Sequence, residues 1–113
     1  MHEVGIARNL IQTVTARLPG ATITSISVEV GSLSGVMPDS LRYGFQAASA
    51  GTALAGASLD ITECQAQCRC EACGQQFQPG DVVPICPCGS AEVAVLSGGE
   101  LRITSVQVAE PAS

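Results

Sequence analysis

Six cysteines lie between residues 64 and 88, and four of them form two closely spaced pairs. The first pair reads CEACG at residues 70–74, and the second reads CPCG at residues 86–89. In each pair a glycine follows the second cysteine, where it relieves backbone crowding at a turn that carries two thiolates. Two such corners provide the four thiolates that Zn²⁺ accepts in a closed tetrahedron. We therefore expect a zinc site formed by Cys70, Cys73, Cys86 and Cys88.

Other cysteine chemistries stay open at the level of spacing alone. The second pair is a CxC motif, which is tighter than the usual CxxC knuckle. Cys68 is the expected substitute ligand, whereas Cys64 is interpreted as a small buried residue that ends a strand. The alternatives to zinc are a disulfide cluster, a redox-active pair and an iron–sulfur cluster. A site closed by four thiolates has no open coordination position, so the zinc is expected to be structural.

A second set of metal donors lies at the start of the chain, which reads MHE. The α-amine of Met1 has an ordinary pKa of about 7.7–8.0, well below that of lysine, so a metal displaces its proton more easily. His2 is the only histidine, and its imidazole and peptide nitrogen can form fused chelate rings with that amine. The peptide nitrogen or carboxylate of Glu3 can complete a set that suits square-planar Ni(II) or Cu(II). Because a lone histidine near a terminus is usually just solvated, these residues alone leave both interpretations open.

Two helices are predicted before the cysteines. Residues 4–18 carry apolar side chains at helical spacing and are followed by Pro19-Gly20, which predicts an amphipathic helix that stops there. Pro38 suits the first turn of a second helix that extends to about residue 50. The side chains that this second helix is expected to bury are Leu41, Phe45 and Ala48.

Four strands are predicted from alternation of apolar and polar residues. Residues 21–30 and 57–62 read as strands with one buried face. After the cysteines, residues 92–96 and 101–108 read as two more strands. The intervening Ser97-Gly98-Gly99 is a turn signal, so we expect these last two strands to form a hairpin.

The segment from Cys64 to about Ser90 lacks apolar periodicity and cannot bury enough apolar surface to order itself unaided. The sequence therefore predicts an α+β fold, a small sheet with two helices, interrupted by a zinc-ribbon-like insert. The expected α+β domain comprises residues 1–63 and 91–113, and the expected inserted zinc-binding domain comprises residues 64–90. Metal-binding energy would replace the missing core of the insert.

Composition excludes several classes of function. The net charge is −5 and the five basic residues are scattered, so a phosphate-binding surface and nucleic-acid partners are not expected. No run approaches the roughly 20 apolar residues of a membrane helix, and no signal peptide is visible. We therefore expect a cytoplasmic protein, where clustered thiols are metal ligands more often than disulfides.

The order of several motifs resembles the HypA/HybF family of hydrogenase maturation proteins. These motifs are MHE, VEVG at 28–31, PDSLRYGF at 38–45, the two cysteine pairs and SGGELRITSVQV at 97–108. The resemblance extends from Met1 to about Glu110. It implies that His2 is the nickel ligand, with Met1 and Glu3 as nearby donors, and that two cysteine pairs bind structural zinc. It also implies that the α+β domain of residues 1–63 and 91–113 is the nickel-binding domain. The family usually has CPxC where this chain has CPC at 86–88, so the resemblance does not settle the fourth zinc ligand.

The resemblance also implies a function and partners. Members of the family receive nickel with the help of a HypB-type GTPase and pass it to the large subunit of [NiFe]-hydrogenase. The expected function is therefore that of a nickel metallochaperone, with either a monomer or a homodimer as the functional form. The alternative is a zinc-ribbon interaction module in which MHE occurs by chance. An enzyme is not expected, because no base lies near a candidate nucleophile and GSLSG at 31–35 lacks the lysine and spacing of a P-loop.

Overall fold

The computed structural model describes residues 2–80 and 83–109, and of His2 it describes only the backbone. Within these residues the chain forms two helices and six strands, which confirms the predicted α+β class. The elements in chain order are α1 (His2–Arg17), β1 (Ile23–Gly31), α2 (Pro38–Ser49), β2 (Ser58–Cys64), β3 (Gln67–Cys70), β4 (Gln76–Phe77), β5 (Val93–Ser97) and β6 (Leu101–Val108). Neither helix within this range is long and apolar enough to cross a bilayer.

Helix α1 is amphipathic, as its periodicity predicts, and starts two residues earlier than expected. The apolar stripe of Ala7, Leu10, Ile11 and Val14 is buried. Glu3 lies in the first turn and Arg17 in the last, so both charges interact favourably with the helix dipole. Gly20 adopts a φ of 77° just beyond the helix, a conformation that costs glycine little and ends the helix together with Pro19.

Helix α2 begins at Pro38, where the missing N–H of proline costs no helical hydrogen bond. It buries Leu41 and Phe45 as predicted, while Ala48 is only half-buried. The helix also buries Gly44 and Ser49, which periodicity did not single out. The two helices pack against each other.

The first sheet has the strand order β2-β1-β6, so β1 is its central strand. This position explains why Ile26, Val28 and Val30 are nearly inaccessible to solvent, in agreement with the predicted buried face. Strand β6 runs antiparallel to β1. Hydrogen bonds connect the end of each strand with the start of the other. Ala109 donates to the Thr22 carbonyl at one end, and Gly31 donates to the Glu100 carbonyl at the other.

The second sheet has the order β4-β3-β5, with both neighbours antiparallel to β3. Cys68 is paired with Phe77 on one side and with Val95 on the other. The segment that lacks apolar periodicity thus contains strands, and its small core is formed largely by cysteine side chains. Cys68, Cys70 and Cys86 are each at most 2% exposed.

The predicted hairpin between β5 and β6 is wrong, because the two strands belong to different sheets. The connection at 97–100 bonds to residues 31–33 instead of closing on itself. The Gly98 carbonyl accepts the Leu33 amide at 3.0 Å, and the Glu100 carbonyl accepts the Gly31 amide at 3.1 Å. Strand β5 pairs with β3, so the glycine-rich connection carries the chain from one sheet to the other.

The chain divides into two compact units. One comprises residues 1–28, 37–62 and 103–113, and the other comprises residues 29–36 and 63–102. The unit with the cysteines is therefore larger than the predicted insert of residues 64–90. It extends further because β5 supplies a partner for β3, and because Ser32 and Leu33 bond to the Cys64 and Gly98 carbonyls. The assignment of nickel binding to residues 1–63 and 91–113, and of zinc binding to residues 64–90, stays a prediction.

Candidate metal centre

Four thiols meet at one point of the cysteine-containing unit. The Sγ atoms of Cys70, Cys73, Cys86 and Cys88 all lie within 4.8 Å of one another. Two of the separations join the two corners: Cys70 to Cys88 at 3.7 Å and Cys73 to Cys86 at 3.6 Å. A tetrahedron with zinc–sulfur bonds of about 2.3 Å has sulfur–sulfur edges of about 3.8 Å. The four thiols therefore fit a closed tetrahedral zinc site.

The first corner is a tight turn between β3 and β4. The Gly74 amide donates to the Cys70 carbonyl at 2.8 Å, and the Cys70 amide donates to the Gln75 carbonyl at the same distance. Gly74 has a φ of 79°, so the turn uses a conformation that other residues rarely adopt. The backbone N–H of Cys73 points at the Cys70 sulfur, 3.4 Å away.

The second corner repeats this arrangement around Pro87. The Gly89 amide donates to the Cys86 carbonyl at 2.8 Å, and the Cys86 amide donates to the Ser90 carbonyl at 2.9 Å. The backbone N–H of Cys88 points at the Cys86 sulfur at 3.4 Å. The shorter CPC spacing therefore still brings both of its sulfurs into the cluster.

The backbone favours ionisation in this cluster, and burial opposes it. The Cys73 N–H lowers the pKa of Cys70 to about 6 although burial acts in the opposite direction. The Cys88 N–H acts in the same way on Cys86, but burial and the adjacent Cys88 and Cys73 thiols outweigh it and raise its pKa to about 12. A divalent cation bound by the four sulfurs would replace the thiol protons.

The two remaining cysteines lie outside the cluster. Cys68 is two residues before Cys70 on the same face of β3, so the two residues are about 6.6 Å apart along the strand. Cys64 ends β2 as predicted, but it is only half-buried where burial was expected. Its thiol donates to a Glu29 carboxylate oxygen at 3.5 Å. Arg102 contacts the same oxygen at 3.3 Å. The sequence analysis did not predict the contacts among Cys64, Glu29 and Arg102, since these residues are far apart in the chain and no local motif joins them.

The predicted nickel donors are only partly within the described residues. Met1 and the side chain of His2 lie outside them. The backbone of His2 begins α1, and Glu3 lies in its first turn. A carboxylate oxygen of Glu3 accepts the backbone N–H of Met37, which immediately precedes α2, at 3.5 Å.

Comparison with known proteins gives one consistent result. A family model described as "Hydrogenase/urease nickel incorporation, metallochaperone, hypA" matches residues 1–108. Hydrogenase maturation factor HypA of Chlorobaculum parvum is 43% identical over 112 residues, covering 96% of this chain and 99% of that protein. The HypA of Nostoc punctiforme is 37% identical over 110 residues, covering 97% of each chain.

Solved structures show the same fold. The solution structure of the Ni metallochaperone HypA from Helicobacter pylori superposes with a TM-score of 0.66 at 20% identity, covering 94% of this chain and 96% of that one. A second solution structure of a HypA protein gives a TM-score of 0.61 at 21% identity, covering 94% of this chain and 92% of that one. The family match, the relatives and the fold agree: this chain belongs to the HypA family of hydrogenase/urease nickel-incorporation metallochaperones.

Proposed function

We propose that this protein carries Ni(II) at its first three residues and delivers it to the large subunit of [NiFe]-hydrogenase during maturation. The observation that carries the proposal is the match of residues 1–108 to a nickel-incorporation family. The donors are the Met1 amine, the His2 imidazole and peptide nitrogen, and Glu3. Nickel is cargo here, so its ligands must release it, which an accessible chain end permits more readily than a buried cage.

The helical position of His2 and Glu3 supports their backbone nitrogens as nickel donors. Helix α1 begins at His2, and the first N–H groups of a helix have no carbonyl partner within it. A metal that replaces the proton of such an amide therefore breaks no hydrogen bond of the helix. Nickel can occupy the end of α1 without unfolding it.

Substitution of His2 tests the nickel site. We expect His2→Ala to abolish stoichiometric Ni(II) binding, because the imidazole closes the chelate, while the fold and zinc content stay unchanged. Isothermal titration with Ni(II) on protein with its authentic start measures this directly. Unchanged nickel affinity in His2→Ala would contradict the proposal.

An N-terminal extension provides the matched control. Residues added before Met1 convert its amine into an amide, so nickel affinity should fall while zinc content stays near one per chain. If the native protein takes up no Ni(II) when fully loaded with zinc, the remaining interpretation is a zinc-ribbon interaction module.

We further propose that Zn²⁺ is held by Cys70, Cys73, Cys86 and Cys88. The metal would supply cohesion to the second sheet and would take no part in nickel chemistry, because four thiolates leave no open position. Soft sulfur donors mid-chain and nitrogen donors at the start would then separate the two metals by ligand preference.

Alanine variants distinguish the four proposed ligands from the two other cysteines. We expect Cys86→Ala to lose zinc to a chelator at concentrations that leave the native protein loaded. Cys68→Ala is the control, because it removes a fully buried cysteine that lies outside the cluster. Its zinc content, measured by metal analysis, should stay near one. Zinc loss in Cys68→Ala with retention in Cys86→Ala would overturn the ligand assignment.

The partners that follow from this proposal are a HypB-type GTPase as nickel source and the hydrogenase large subunit as acceptor. A reconstituted transfer assay tests both. Nickel-loaded protein should activate a metal-free large-subunit precursor, and His2→Ala should not. Activation of a urease precursor instead would redirect the proposal to the other enzyme that the family description names.

A further inference from the structure

The first turn of α1 packs directly on α2 at Gly44. A Cβ atom built on Gly44 would lie 3.2 Å from three backbone atoms: the Glu3 carbonyl oxygen and the nitrogen and Cα of Val4. Ordinary carbon contacts are about 3.5–4.0 Å, so any side chain here would push the first turn away by a few tenths of an ångström. Glycine weakens a helix interior relative to alanine. Its presence in the middle of α2 is therefore explained by this close approach.

A second contact holds the same turn from the start of α2. The backbone N–H of Met37 donates to the Glu3 carboxylate at 3.5 Å. That distance is the outer limit of a hydrogen bond, so a small outward shift of the turn would break it. Packing at Gly44 and hydrogen bonding at Met37 thus depend on the same separation between α1 and the α2 segment.

We propose that Gly44 is a positioning residue for nickel binding, which acts by setting the separation between the first turn of α1 and α2. This inference rests on the proposed function. Chain ends usually fray, and a ligand that binds a frayed end must order it. The contacts at Gly44 and Met37 hold Glu3 and Val4 in place before nickel arrives, so less ordering accompanies binding.

Substitution of Gly44, with a glycine control in α1, tests the inference. Gly44→Ala in the full zinc-loaded chain should weaken Ni(II) binding about tenfold, comparable to the cost of ordering one residue's backbone. Gly5→Ala adds the same methyl group to the first turns of α1, where a Cβ meets nothing within 4 Å. It should leave nickel affinity within about twofold. Titrations are made well below the unfolding temperature of each variant, so that lost stability alone cannot lower the affinity.

A second variant removes the hydrogen bond without adding bulk to α2. Met37→Pro deletes the donor N–H and keeps the carbonyl that accepts the Leu41 amide. If both contacts hold one turn, Met37→Pro should also weaken nickel binding about tenfold. The double variant should then lose much less than the hundredfold product of two independent effects. Nickel dissociation rates, measured by transfer to a chelator, should rise in parallel.

The outcomes separate this inference from the function on which it rests. Native affinity in Gly44→Ala, or an equal loss in Gly5→Ala, overturns the role of Gly44. If Gly44→Ala fails to fold, native affinity in Met37→Pro overturns the inference instead. Absence of nickel binding by the native chain overturns the proposed function. A tenfold loss confined to Gly44→Ala and Met37→Pro, with zinc unchanged, supports the inference.

Discussion

At the scale of single residues, the Cys64 thiol shows how a partner distant in sequence alters chemistry. Cys64 ends β2 and Glu29 lies in the neighbouring strand β1, and both line a cleft of about 330 Å³ with Arg102. Burial raises the pKa of Cys64, and the hydrogen bond to Glu29 raises it further, whereas Arg102 lowers it. Because the pKa is higher in the folded chain than its ordinary value of 9.0, the folded state holds the thiol proton more tightly than the unfolded state. The stabilisation from this protonated thiol is fully present below pH 9.0 and is lost as pH rises above it. Cys64 is therefore expected to be a slow nucleophile.

Replacing Glu29 tests this electrostatic effect. Glu29→Gln removes the carboxylate and leaves Arg102, so the pKa of Cys64 should fall and its alkylation at pH 8 should be about two- to threefold faster. Iodoacetamide labelling of zinc-loaded protein, followed by mass spectrometry of the Cys64 peptide, measures the rate. Glu100→Gln is the matched control, because Glu100 lines the same cleft and its side chain makes no hydrogen bond to Cys64. A slower rate in Glu29→Gln would contradict the expectation.

At the scale of elements, the connection between β5 and β6 depends on close backbone approaches. A Cβ on Gly98 would lie 2.5 Å from the Cα of Ala66, and Gly98 itself has a φ of 81°. A Cβ on Gly31 would collide with the Gly98 backbone. Glycine at both positions lets the chain leave one sheet and enter the other. Gly98 also contributed, with Ser97 and Gly99, to the mistaken hairpin prediction, because glycine is common in hairpin turns.

Gly98 and the adjacent Gly99 form a matched pair for a stability test. Gly98→Ala should lower the free energy of unfolding by about 2–3 kcal/mol or more, since it combines a left-handed backbone with a backbone collision. Gly99→Ala should cost less than about 1 kcal/mol, because its Cβ would meet only a Val95 methyl group at 3.4 Å. Denaturant unfolding of zinc-loaded variants measures both. If Gly98→Ala lowered the free energy of unfolding as little as Gly99→Ala, the connection would tolerate side chains at both positions.

At the scale of the whole molecule, two units use different sources of cohesion. The unit that contains both helices has an apolar core that includes Leu10, Val14, Ile26, Leu41 and Phe45. Among the residues that the structure describes, the unit that contains the cysteines buries a small set of side chains, including Val30, Ala66, Pro79 and three cysteines. We expect metal ligation to order a core of this size.

Zinc removal should therefore affect the two units unequally. A strong chelator should unfold residues 63–102 while about nine-tenths of the helical circular dichroism at 222 nm is retained, because α1 and α2 have their own core. Amide hydrogen exchange locates the loss by residue. Re-addition of zinc provides the control for reversibility. Loss of the helical signal in step with zinc would show one cooperative structure.

The sequence by itself determined whatever depends on neighbours along the chain. The periodicity of α1 and β1, the start of α2 at Pro38 and the two cysteine corners are local patterns. Each lies at its predicted position or within two residues of it. The motif order from Met1 to Val108 also indicated the family.

Only the tertiary structure decided which distant segments meet. It paired β5 with β3 and not with β6, placed Glu29 beside Cys64, and brought Gly44 onto the first turn of α1. It also brought the sulfurs of the CPC corner to within 3.6–3.7 Å of those of the CxxC corner. Cys68 stays outside this cluster, in β3. The physical reason is that strand pairing and close backbone approaches satisfy hydrogen bonds and packing across the whole chain. Residue type alone does not encode which of several compatible partners lies within reach.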